Sequence, residues 1–410
     1  MTPELRSRII DLVDAHHIAQ TSFLAALVTA PSDNPPGDCA APAERAADLL
    51  RGLGFAVESH EVPADLAAAH GMISATNLVV RRRFGPGPVI ALNAHGDVVP
   101  PGAGWTADPY GAEIRDGVMY GRGVAVSKSD FATYAFALRA LEECGATLGG
   151  TVELHFTYDE EAGGLLGPHW LLANGLSAPD YAIGAGFSYN VVVAHNGCLH
   201  LELRVGGRSA HAARPDTGSD ALEAATRLLT SLYALREGYT AIRSNVPGIV
   251  HPTLVVGLIS GGINTNVVPD LVTLRLDRRI IPEEDPDQVE RALRAAIEQA
   301  CPAAHGITLE IRRILLARPF TPQSGQERIV HLLQRHGRDI MGEDIVADGV
   351  PLYTDARHYS AAGIPTVLYG AGPHSLLEAN GHRADECLVL EDLRKATQVV
   401  ALMLADLLVA

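Results

Sequence analysis

Between residues 197 and 315 the order of the apolar patterns changes, and this change limits the folds open to the chain. Residues 199–205 read as a strand, 219–235 as a helix, 253–259 and 271–278 as strands, 286–300 as a helix and 307–314 as a strand. Strand, helix, two strands, helix, strand is the ferredoxin-like βαββαβ unit. On either side of it, strand-like runs alternate with helical patterns, as in an α/β domain. Val89-Ile90-Ala91-Leu92-Asn93-Ala94 follows the turn signal Gly85-Pro86-Gly87-Pro88, and residues 152–157, 181–183 and 365–369 read as three more strands. Between the first two, Ser129 is placed to cap a helix on which Phe131, Tyr134, Leu138 and Leu141 fall at helical spacing. With 410 residues, more than one ordinary core accommodates, the expected architecture is a larger α/β domain of residues 1–196 and 316–410. A smaller domain of residues 197–315 is inserted into it.

Open α/β sheets bind ligands beyond the carboxyl ends of their strands, so chemistry is expected directly after each strand. The first run ends in His95-Gly96-Asp97, a pair in which the carboxylate can orient the imidazole of a metal ligand. The second ends in Asp159-Glu160-Glu161-Ala162-Gly163-Gly164, where one acid can hold a metal while its neighbour takes a proton from water. Each alone has a plainer reading, a histidine held in a turn and a solvated acidic turn. Bulk properties narrow the choice. A net charge of −16, from 32 basic and 48 acidic residues, argues against a nucleic-acid partner. No run reaches the roughly 18 apolar residues a membrane span needs. The start, Met-Thr-Pro-Glu-Leu-Arg, lacks the apolar stretch of a signal peptide, so a cytoplasmic location is expected. The five scattered cysteines lack a C-x-x-C pair and read as reduced thiols, while 17 histidines favour a hydrolytic or metal site.

The connecting segments remove the independence of these pieces. Trp105-Thr106-Ala107-Asp108-Pro109-Tyr110-Gly111 runs into Gly117-Val118-Met119-Tyr120-Gly121-Arg122-Gly123. Gly207-Arg208-Ser209-Ala210-His211-Ala212-Ala213-Arg214-Pro215 and Asn266-Val267-Val268-Pro269 come later, then Asp355-Ala356-Arg357 and His382-Arg383-Ala384-Asp385-Glu386. In these ordered motifs the chain resembles the co-catalytic metallopeptidases: aminoacylase, carboxypeptidase G, acetylornithine deacetylase and succinyl-diaminopimelate desuccinylase. The likeness runs from Ser32-Asp33-Asn34-Pro35-Pro36 to the C-terminus. It implies a zinc-peptidase-like catalytic domain with a ferredoxin-like lid that dimerises, and a small-molecule substrate cleaved by metal-activated water. It implies His95, Glu161 and His382 as metal ligands, Asp97 as the orienting carboxylate and Glu160 as general base. His211 resembles the histidine that reaches a partner subunit's site to stabilise an oxyanion. Asn266, Arg279 and Arg357 resemble substrate-holding groups, the arginines being suited to a carboxylate or, more plainly, to surface ion pairs.

The chain departs from the family at two positions. The bridging carboxylate belongs three residues after Gly-Arg-Gly, where Val126 stands, and the acid that usually follows the strand at Tyr181 is replaced by Gly186. Neither side chain can ligate. The remaining carboxylate and two neutral imidazoles carry a formal charge of −1, too little to hold two divalent ions in a partly dry cleft. One divalent ion on His95, Glu161 and His382 is the leading expectation: zinc, with manganese, iron or cobalt also suited. The expected reaction is then hydrolysis of an amide-type C–N bond in an N-acyl amino acid or dipeptide-like compound. Three alternatives stay open: an unusual C–N bond such as an aryl amine or carbamate, a metal-free or non-catalytic member that binds a carboxylate ligand, and rescue of the second ion by Asp130. The last is disfavoured because Asp130 falls in the first turn of a helix, where an acid has a capping and dipole role.

Overall fold

The computed structural model describes residues 1–409. The chain divides into two compact units, Met1–Val193 with Pro322–Asp348 and Thr354–Ala410, and Ala194–Thr321 with Gly349–Tyr353.

The first unit is built on an eight-stranded sheet. Its centre is four adjacent parallel strands, Thr151–Thr157, Val89–His95, Tyr181–Gly184 and Thr366–Leu368. They are short and apolar because helices or loops cover both faces, as parallel sheets require. Antiparallel strands Thr76–Arg83 and Val57–Glu61 extend the sheet on one side; on the other lie Asn190–His195, antiparallel to Thr366–Leu368, and then Val346–Val350. Because the four central strands run the same way, the segments that follow them all leave the sheet at one edge, and the registers His95↔Thr157, Asn93↔Gly184 and Leu368↔Gly184 keep those exits level.

The helix Lys128–Glu143 packs between the N-terminal helix Pro3–Val28 and the C-terminal helix Leu390–Leu408. Phe131, Tyr134, Leu138 and Leu141 are all buried, as their spacing predicts. The cap differs from expectation. The helix is preceded by Ser127, and Ser129 lies inside the first turn with its hydroxyl turned toward the Ala125 carbonyl. Ser127 occupies the N-cap position without capping, because its hydroxyl is bonded to the main chain of His95. Beneath the site Phe131 stacks on Phe156, ring centroids 3.9 Å apart, and meets Tyr158 edge-on at 5.9 Å.

In the second unit the strands lie in the order Thr253–Gly261, Leu271–Ile280, Gly197–Gly206, Thr308–Ala317, each neighbour antiparallel. With helices Ala221–Tyr239 and Pro286–Ala300 this is the ferredoxin-like arrangement. Leu199, Leu201, Leu203 and Val205 alternate into the core beside Leu228 and Ile297, while Glu202, Arg275 and Arg312 pair on the other face. The first helix begins later than residue 219 because Asp220 caps it, accepting from the Leu222 and Glu223 amides, and Ser219 bonds the His305 carbonyl instead. Among the described residues no helix is long and apolar enough to cross a membrane.

Replacing Phe131 by alanine removes the stack that supports the strand ends. It is expected to destabilise the protein by about 3–5 kcal/mol, read as a lower urea midpoint with an unchanged slope.

Candidate metal centre

His95 ends its strand, and Asp97 lies two residues beyond. The turn between them is tight enough that a Cβ on Gly96 would stand 2.4 Å from the Tyr158 ring, so only glycine fits. His95 Nδ1 lies 3.0 Å from the Asp97 main-chain oxygen and 3.4 Å from Asp97 Oδ1. That commits Nδ1 to Asp97 and leaves Nε2 as the atom able to serve as a ligand.

Asp97 is fully buried and organises more than His95. Its Oδ1 accepts the Glu160 N–H at 3.2 Å, and its Oδ2 accepts the Glu161 N–H at 3.1 Å and Asn34 Nδ2 at 2.9 Å. The short 3-10 turn Glu160–Ala162 is therefore hung from a carboxylate on the neighbouring strand end. His95, Glu160 and Glu161 each present a donor atom within 4.8 Å of the others. His382 joins them, with Nε2 3.3 Å from Glu161 Oε1.

His382 sits at φ +62°, a left-handed conformation that a non-glycine residue adopts only when its surroundings hold it there. The holding groups follow in sequence. Asp385 accepts from the Thr106 and Ala107 amides and the Thr106 hydroxyl. Glu386, buried, pairs with Arg122 at 2.5 Å and accepts from the Ala125 and Val126 amides at 3.1 and 3.2 Å. Both acids stand within the motif that nominates His382, but their anchoring role depends on contacts with residues some 260 to 280 positions away. That is why the sequence reading assigned them none.

The pocket is rich in acid. Burial pushes the Glu160 carboxyl up to about 7; His95 and Arg357 oppose the rise, and Glu161 and Asp97 add to it. Burial works against charge on His95, yet the Asp97 contact and the charges of Glu160 and Glu161 hold its pKa well above the usual range. The Glu161 contact raises His382 in the same sense. Two further acids lie close by. Asp355 is buried with neither carboxylate oxygen bonded, and its pKa is raised by burial first, then by Asp159 and Glu160. Asp159 is pushed to about 7 by burial and by Asp97. Both were visible as residues without a role. Arg357, expected to hold substrate, is buried among these acids and donates to the Gly163 and Thr354 carbonyl oxygens.

His211, Asn266 and Arg279 belong to the second unit. His211 Nδ1 accepts the Ala213 N–H at 3.1 Å, so a neutral ring carries its proton on Nε2. The bridge between His211 and Val267 sets Asn266 beside it, with the Ala212 N–H on the Asn266 main-chain oxygen at 2.9 Å. Arg279 pairs with Asp277 at 3.0 Å and lies 5.8 Å above the Tyr353 ring.

The two departures from the family pattern differ in their surroundings. The Val126 N–H is bonded to Glu386. A Cβ on Gly186 would come within 2.7 Å of the Tyr369 nitrogen and 2.8 Å of the Leu368 carbonyl carbon, so this backbone admits no side chain there. Asp130 lies in the first turn of its helix but does not cap it. Its carboxylate turns away from the helix's own amides to accept the Gly186 N–H at 3.2 Å and the Ala371 N–H at 2.7 Å.

Asparagine at position 97 keeps the size of the side chain but offers one acceptor oxygen where the aspartate offers two. Asp97→Asn is expected to weaken divalent-ion affinity about 10–100-fold, measured by competition with a chromophoric chelator; unchanged affinity would mean that Asp97 does not organise the ligands.

The chain matches peptidase family M20/M25/M40 over residues 91–406. It is 29% identical over 396 residues to a succinyl-diaminopimelate desuccinylase of Gluconacetobacter diazotrophicus, covering 93% of this chain and 95% of that one. Among solved structures it is similar to the dipeptidase Dug1p of Saccharomyces cerevisiae, with a TM-score of 0.81 at 13% identity and 98% of each chain covered. It is also similar to YXEP of Bacillus subtilis, described as a dinuclear metal-binding peptidase, with a TM-score of 0.64 at 17% identity, covering 96% of this chain and 99% of that one. The resemblance seen in the motifs is thereby borne out over most of the chain, and with it the α/β fold. The chain belongs to peptidase family M20/M25/M40 and is a metal-dependent hydrolase.

Proposed function

We propose that this hydrolase cleaves an amide-type C–N bond in a small carboxylate-bearing substrate, an N-acyl amino acid or a dipeptide-like compound, at a site holding one divalent ion. The observation that carries the reading is the convergence of His95, Glu160 and Glu161 within 4.8 Å. Donors to one zinc ion stand roughly 3–4 Å apart, given bonds of about 2.0–2.2 Å, so His95 and Glu161 are near binding distance, and His382 Nε2 lies 3.3 Å from Glu161 Oε1. The donor chemistry fits zinc, and manganese, iron and cobalt accept the same set. His95, Glu161 and His382 would hold the ion, which when bound lowers the pKa of water and polarises a carbonyl oxygen. The closure of the chain at Gly186 supports one ion over two.

In this reading Glu160 is the general base. It shares its turn with Glu161 and is held by the same Asp97 carboxylate, so base and ligand keep a fixed spacing. Burial holds its basicity above that of an ordinary carboxylate, which suits it to take a proton from water and return it to the departing amine. His211, with Nε2–H available as a donor, reaches the partner subunit's site in a homodimer and stabilises the developing oxyanion there. Asn266, Arg279 and Arg357 hold the substrate's carboxylate and amide groups. The ferredoxin-like unit acts as lid and as the surface of a homodimer. The names of the desuccinylase and the dipeptidase support the substrate class.

Glu161→Gln is expected to lose the ion, while Glu160→Gln keeps it and loses about 10²–10⁴-fold in kcat. Metal analysis of both variants, with amine release from a panel of N-succinyl and N-acetyl amino acids and dipeptides, tests this. Retention of the ion by Glu161→Gln would contradict the ligand assignment.

A further inference from the structure

The helix Lys128–Glu143 begins where three neighbouring parallel strands end, and the residues at its start bind all three ends. The Ser127 hydroxyl is bonded to the main chain of His95, 3.1 Å from both its nitrogen and its oxygen. Asp130, only 1% exposed, gives one carboxylate oxygen to each of the other two. Oδ2 accepts from Gly186, which follows the strand Tyr181–Gly184, and Oδ1 accepts from Ala371, which follows the strand Thr366–Leu368.

The fit between these segments is close. A Cβ on Gly370 would stand 2.0 Å from Asp130 Oδ1, so the carboxylate lies directly on the main chain there. The segments also bond to each other, Gly372 N–H to the Gly186 oxygen at 2.8 Å and Ser188 N–H to the Gly372 oxygen at 2.9 Å. Gly186 is the position from which an acid side chain is missing, and its amide is the group Asp130 accepts from. A carboxylate so placed invites the reading of a displaced metal ligand. Its bonds point the other way, since each oxygen is already directed at a main-chain N–H.

We propose that Asp130 is a positioning residue that stands in for the second ion. It ties the main chain at Gly186, a position an ion would hold through an acid side chain, to the neighbouring strand end at Ala371. The mouth of a one-ion site then keeps its shape whether or not the ion is bound. The idea of a stand-in rests on the one-ion reading above; the tie itself does not.

Amide hydrogen exchange followed by mass spectrometry separates the two. In the wild-type protein, residues 184–188 and 369–372 are expected to exchange equally slowly in zinc-loaded and chelator-stripped samples. Asp130→Ala should speed exchange in both segments by at least about tenfold while zinc per chain stays at the wild-type value. Asp130→Asn keeps a single acceptor oxygen and should release only one segment, a partial rescue that general loosening would not produce. Wild-type rates in Asp130→Ala, loss of protection when wild-type protein is stripped, or loss of zinc from Asp130→Ala would each overturn the proposal. Should the alanine variant not fold, the stripped wild type and Asp130→Asn still decide it. Two zinc ions per wild-type chain would overturn both readings. No zinc at all would overturn only the one-ion reading, and the exchange rates would still decide the tie.

Discussion

The site depends on one buried carboxylate. Asp97 receives the main-chain amides of Glu160 and Glu161, the carboxamide of Asn34 and the Nδ1 side of His95. Hydrogen bonds to a charged acceptor contribute roughly 1.5–3 kcal/mol each, and here several converge on one group at 0% exposure. They continue the tie between two parallel strand ends beyond the last main-chain bond, the Gly96 N–H on the Thr157 oxygen at 2.8 Å. His95 at one strand end, and Glu160 and Glu161 at the next, thereby acquire a common frame. The fold supplies the approach: parallel strands deliver their ends to one edge, and Gly96 lets the first chain turn closely over Tyr158.

The same edge explains how a chain short of two acid ligands remains organised. An acid-rich pocket in which burial pushes Glu160 upward favours a nearby positive charge, and on the proposed reading one divalent ion supplies it. A second ion would require donors that the side chains at Val126 and Gly186 do not supply, and the backbone at Gly186 has no room for one. The strand end at Gly186, left without such an acid, needs another tie, and the carboxylate of Asp130 bonds it to the strand end at Ala371. On the one-ion reading, buried carboxylates serve two different ends: Asp97 fixes the side chains proposed to hold the ion, and Asp130 fixes main chain at the position of a missing ligand.

Much of this was legible in the residues. The strand runs at Val89 and Val152, the βαββαβ order and the terminal motifs placed the elements and the family, because each depends on local periodicity or on a motif read in order. His95, Glu160, Glu161 and His382 were nominated from the motifs and do lie together. What escaped was what depends on distant partners. Ser129 reads as a cap by its position, yet Ser127 precedes the helix and its hydroxyl is taken by His95, 32 residues away. Asp130 reads as an acid at a helix start, but its acceptors are used by residues 56 and 241 positions on. Glu386 and Asp385 anchor the His382 loop through contacts no spacing rule anticipates. Asp355, buried without a hydrogen bond on either oxygen, has no signature in the sequence beyond its place in Asp355-Ala356-Arg357.

The number of ions the chain holds is the central claim, and metal analysis of protein purified without chelator tests it most directly. Plasma mass spectrometry is expected to find close to one divalent ion per chain, lost when His382 is replaced by alanine. Two ions per chain, or none after soaking with zinc, manganese, iron and cobalt, would contradict it.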